Sequence, residues 1–88
     1  MTTAQERHDA LDQFMAAYAS HTGRLFSTSS VLDLAAFVSE LRPERATLRA
    51  FVELLDAATN AGCDTSQATI MDLVTWSHRQ VLTERFQE

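Results

Sequence analysis

Few of the 88 residues carry reactive groups: one cysteine, three histidines and a run of four hydroxyl side chains, Ser27 to Ser30. Cys63, being alone, has no partner for an internal disulfide and does not make a zinc site by itself. His8, His21 and His78 lack the spacing of four that puts two imidazoles on one helix face, and none belongs to an H-E-x-x-H pattern, so metal-assisted hydrolysis lacks its ligands. No motif supplies the base that a nucleophilic Cys63 thiol needs. The Ser27 to Ser30 run has the residue types of a nucleophile or phosphate acceptor, but a helix start is the simpler reading. A serine oxygen accepts from the free N–H groups of a first helical turn, and Asp33, three residues after Ser30, suits the positive end of that helix. With only Gly23 and Gly62 in the chain there is no glycine-rich phosphate loop either. No catalytic residue, metal or cofactor is expected.

The elements that carry these residues read as helices. Thirteen alanines and ten leucines favour helix, while two glycines and one proline leave little material for hairpin turns. The expectation is an all-α fold, a compact four-helix bundle-like single domain over residues 1–88, with helices near 3–20, 30–41, 44–61 and 66–85. In the first, Ala4, His8, Leu11, Met15 and Tyr18 alternate steps of four and three and Phe14 widens the stripe; Glu6, Asp9, Asp12 and Gln13 lie opposite, and Gly23 suits the helix end. The second faces inward with Val31, Leu34, Phe37, Val38 and Leu41 and stops before Pro43, which fits the first position of the next helix. In the third, Leu48, Phe51, Val52, Leu55 and Ala58 form a stripe that Ala46, Ala50, Leu54 and Ala57 broaden, so this helix is expected at the centre. Gly62 ends it, and Asp64 or Thr65 is the expected cap of the fourth. There Ile70, Val74 and Val81 cluster with Leu73 beside them, His78 falls at the edge of the buried face as a structural histidine, and Trp76 points elsewhere.

Twelve acids against seven bases, all arginine, give a net charge of −5, which repels nucleic acid and anionic membrane on average. No apolar run approaches the roughly 18 residues of a membrane span, and the acids Glu6, Asp9 and Asp12 interrupt the N-terminal segment where a signal peptide would be apolar. A cytoplasmic protein is expected. The stretch "AATNAGCDTSQATIMDL" resembles the general helix-turn-helix pattern, which implies a DNA-binding regulator using residues 54–73 as an alternative function. Its chemistry opposes that alternative, because no lysine or arginine lies between Ala50 and Ser77 while Asp64 and Asp72 would stand beside phosphates. "SSVLDL" places serines at a helix start as carrier proteins do, without their Asp-Ser-Leu attachment sequence, so no phosphopantetheine is expected.

An interaction module remains: a small acidic protein that acts without catalysis through a helical surface around Trp76, on a protein partner or as a homodimer. Tryptophan is enriched at binding hot spots. The expected contact residues are Trp76, its helical neighbours Asp72, Leu73 and Arg79, and Leu32 on the far side of the second helix. The competing expectation is that the second helix crosses the fourth and covers Trp76. A third function would set the acidic face of the first helix, Glu6, Asp9 and Asp12, into the basic site of a nucleic-acid-binding protein as an antagonist.

Overall fold

Local chemistry closes several of the helix ends. The computed structural model describes residues 2–86, with helices α1 (Ala4–Thr22), α2 (Val31–Leu41), α3 (Arg45–Asn60) and α4 (Ile70–Phe86). This is the expected all-α four-helix architecture. Thr3 caps α1 by accepting from the Glu6 N–H, and Gly23 ends it in the left-handed conformation at φ 68°, donating to Ala19. Ser30 and Asp33 cap α2 reciprocally. After α3, the Cys63 N–H donates to the Ala58 carbonyl and the Gly62 N–H to Thr59, with Gly62 at φ 92°. That is the Schellman pattern, which satisfies carbonyls left over at a helix end. Cys63 therefore belongs to the turn that closes α3.

The start of α4 departs from expectation. Asp64 caps only a single turn, by accepting from the Ser66 N–H, and the helix proper begins at Ile70, where Thr69 and Asp72 exchange the same pair of bonds that Ser30 and Asp33 make. The two starts are joined: the Val31 N–H donates to the Ala68 carbonyl at 3.0 Å and the Ile70 N–H to the Ser29 carbonyl at 2.9 Å. Each helix thus has its first orphan donor satisfied by the segment leading into the other. Two positive helix ends side by side repel, and Asp33 and Asp72 in the two first turns offset this. The sequence repeats accordingly, Ser30-Val31-Leu32-Asp33-Leu34 against Thr69-Ile70-Met71-Asp72-Leu73. In both copies the second and fifth positions are buried and the third is exposed, Leu32 in one and Met71 in the other.

α1, not α3, is the central helix. It buries Ala4, Ala10, Leu11, Phe14, Met15 and Tyr18 and packs against all three others. Phe14 meets Phe51 of α3 edge-to-face at 5.2 Å between ring centres, and Tyr18 meets Phe37 of α2 in the same way at 5.5 Å. Against α4 it runs antiparallel: the Ala4 N–H donates to the Glu84 carboxylate and the Arg85 guanidinium to the Gln5 side chain. The broad apolar arc of α3 misleads because only part of it meets a neighbour. Ala50, Phe51, Leu54 and Ala58 face the core, whereas Ala46 and Val52 are exposed and Leu48 and Leu55 only partly covered. Pro43 precedes α3 by two residues instead of opening it, and Arg42, ending α2, takes a left-handed backbone at φ 53°.

Candidate functional site

Among the described residues, the cluster of reactive groups that the fold creates joins α1 to α4. His8 Nδ1 lies 2.9 Å from Ser77 Oγ, and His8 Nε2 lies 3.7 Å from Asp12 Oδ2. This is the connectivity of a serine–histidine–acid triad, which needs an open nucleophile and free N–H groups to hold an oxyanion. Ser77 is 1% exposed and sits mid-helix, where the backbone N–H groups are already spent. The arrangement is a hydrogen-bonded lock between two helices. Ser77→Ala should leave the partly buried imidazole without its partner and lower unfolding stability by about 1 to 3 kcal/mol. A denaturant titration checks it, and the change should shrink when His8 is also replaced by an apolar residue. His78, by contrast, is exposed, so the buried polar position of α4 is Ser77 and not the histidine.

The residues expected around Trp76 are dispersed. α4 faces the core with Ile70, Leu73, Ser77 and Val81, not with Val74. At about 100° per residue, Trp76 then stands roughly a quarter turn from the middle of that face. It is partly buried and packs on the core, neither free nor covered. Leu73 is fully buried and is a core residue, which removes it from any monomer surface; it occupies the same place in α4 that Leu34 occupies in α2. Asp72 is engaged as the cap of Thr69. Arg79 and Leu32 are exposed, Leu32 at 57%. Glu6, Asp9 and Asp12 are exposed on α1 as expected. The helix-turn-helix alternative loses its geometry, because residues 61–69 separate α3 from α4 where that motif uses a turn of about three or four residues.

The apolar surface that is left without a neighbour lies between α2 and α3, the two helices that barely touch. A groove of about 430 Å³ runs there, lined by Ala35, Val38, Ser39, Arg42, Pro43, Leu48, Phe51, Val52 and Leu55. All of these but Ser39 and Arg42 are apolar. Phe51 and Val38 form its buried floor, Leu48, Leu55 and Ala35 its partly covered walls, and Val52 its rim, 47% exposed. Such a concave apolar strip takes an apolar side of a ligand or of another chain. It supplies no convergent acids, bases or metal ligands, and among the described residues no group of three or more His, Cys, Asp or Glu side chains is arranged to hold a metal ion. Among the described residues, too, no helix is long and apolar enough to cross a membrane.

Fold and groove together define a small all-α four-helix domain with an apolar cleft between its second and third helices. No protein-family model matches the chain, and no curated protein or solved structure is significantly similar to it.

Proposed function

We propose that the chain is a cytoplasmic, non-catalytic protein–protein interaction module, and that its working surface is the α2–α3 groove rather than the surroundings of Trp76. One observation carries this reading. α3 bears an apolar arc wide enough to meet neighbours on several sides, yet within the chain it meets them on one, so Leu48, Val52 and Leu55 face a gap. Leaving that surface in water costs about 25 cal/mol per Å² relative to covering it, and a polypeptide laid along the groove would recover that energy. Trp76 has less to offer, because part of its ring is already spent on the core.

A photoreactive residue placed at position 52 is expected to crosslink to a polypeptide in the source cells, while one at position 79, on α4, is expected to stay silent. Crosslinking from position 79 with position 52 silent would return the interaction to the Trp76 side. Silence at both positions would remove the interaction reading.

A further inference from the structure

The exposed ridge of α3 answers to its own image. Arg45, Arg49, Val52 and Asp56 follow one another at steps of four, three and four, and all four are exposed, so they form one line along the helix. Leu48 and Leu55 run beside that line on the groove side. The bases occupy the first half of the ridge and the acid the second. Among the described residues the one close base–acid side-chain contact is between His8 and Asp12, which leaves Arg45, Arg49 and Asp56 without a partner among them.

We infer that the occupant of this surface is a second copy of the same chain, seated with its α3 antiparallel to the first about a two-fold axis passing close to Val52. The inference rests on the reading of the groove as a docking surface. In a two-fold contact the same patch serves both partners and has to complement itself. Residues seven apart, one on either side of Val52, then exchange: Arg49 faces Asp56 of the other copy, and Asp56 faces its Arg49. A two-fold axis across the helices keeps each side of the ridge on its own side, so Leu48 of one copy meets Leu55 of the other at the mouths of the two grooves, with the valines between. A parallel arrangement would set arginine against arginine and aspartate against aspartate. Two chains of net charge −5 repel as wholes, and this ridge, with two arginines to one aspartate, is a place where that repulsion is locally lifted. α3 is about 24 Å long at 1.5 Å per residue, and the α2 wall of the groove widens the contact toward the roughly 800 Å² per partner that stable dimers bury.

The test is the concentration dependence of mass by sedimentation equilibrium, with circular dichroism melts to confirm that each variant folds. Wild type is expected to pass from monomer to dimer as concentration rises, and Val52→Asp to dimerise at least about tenfold more weakly, as loss of a central contact does. Arg49→Glu and Asp56→Arg should each weaken the dimer, since each places like charges opposite one another twice. An equimolar mixture of those two variants should recover dimer, because both facing pairs are then opposite in sign. Recovery in the mixture supports the two-fold arrangement. A wild type that stays monomeric to millimolar concentration overturns the second copy as occupant while leaving the groove open to the crosslinking result. A dimer indifferent to both charge variants overturns this pairing, and one indifferent to Val52→Asp places self-association elsewhere on the molecule.

Discussion

Leu73→Ala is expected to lower unfolding stability by about 2 to 5 kcal/mol, the cost of removing a fully buried leucine and leaving a cavity. Leu73 has no exposed surface and belongs to the core cluster with Leu11, Leu34 and Leu54. Its position in the repeated capping segment sharpens the comparison. Leu34→Ala, at the equivalent place in α2, should cost a similar amount, while Leu32→Ala, in the outward position of the same segment, should change stability by no more than about half a kcal/mol. Urea titrations of the three variants decide the matter. A small loss for Leu73 with a large loss for Leu32 would mean that the inward faces of α2 and α4 are assigned the wrong way round.

Phe14→Ala should be costlier still, at about 3 to 5 kcal/mol. The Phe14 ring is 3% exposed and stands edge-on to Phe51, so its loss empties the middle of the α1–α3 contact and deletes an aromatic pair. A domain of this kind is stable by only about 5 to 15 kcal/mol, so the variant should melt far below wild type and sit close to unfolding at physiological temperature. Calorimetry or a circular dichroism melt reads this directly. Leu55→Ala is the useful contrast on α3. Because Leu55 lines the groove and is only partly buried, truncation should fall below the range expected of a core leucine. Equal losses for Phe14 and Leu55 would show the groove wall to be as deeply packed as the core.

Much of α1 and α2 is legible in the sequence. Their inward faces are built from large apolar side chains at helical spacing, and Leu11, Phe14, Met15, Tyr18, Val31, Leu34 and Val38 are all buried. In α3 and α4 the apolar pattern points to a face rotated from the buried one, sharing Phe51 and Ala58 with it in α3 and Ile70 and Val81 in α4, for a common reason. At close helix crossings the buried positions go to whatever side chain fits, and here these include Ala50, Ala58 and Ser77, which a count of hydrophobic residues passes over. The larger Val52, Leu55 and Val74 draw the stripe toward themselves. Leu73, expected beside the inward cluster of α4 and also as a contact residue near Trp76, is fully buried. The groove has a legible signal in the excess breadth of the apolar arc of α3, but breadth alone does not distinguish a central helix from one with an unpartnered side.

Helix number, the Ser30–Asp33 cap and the glycine-marked ends at Gly23 and Gly62 follow from residues within a turn or two of one another. Hydrogen bonds and rotamer preferences over that distance need no other part of the chain. The start of α4 belongs to a different class. Ile70 begins the helix where its N–H meets the carbonyl of Ser29, forty-one residues earlier in the chain by the difference of their numbers, and Thr69 and Asp72 complete the cap there. Nearer candidates such as Asp64 lose because they have no such partner. The centrality of α1, the burial of Ser77 against His8 and the gap between α2 and α3 likewise depend on how much volume neighbouring helices bring to each contact. Packing is a property of pairs of surfaces, and in this chain the partners in each pair come from distant segments.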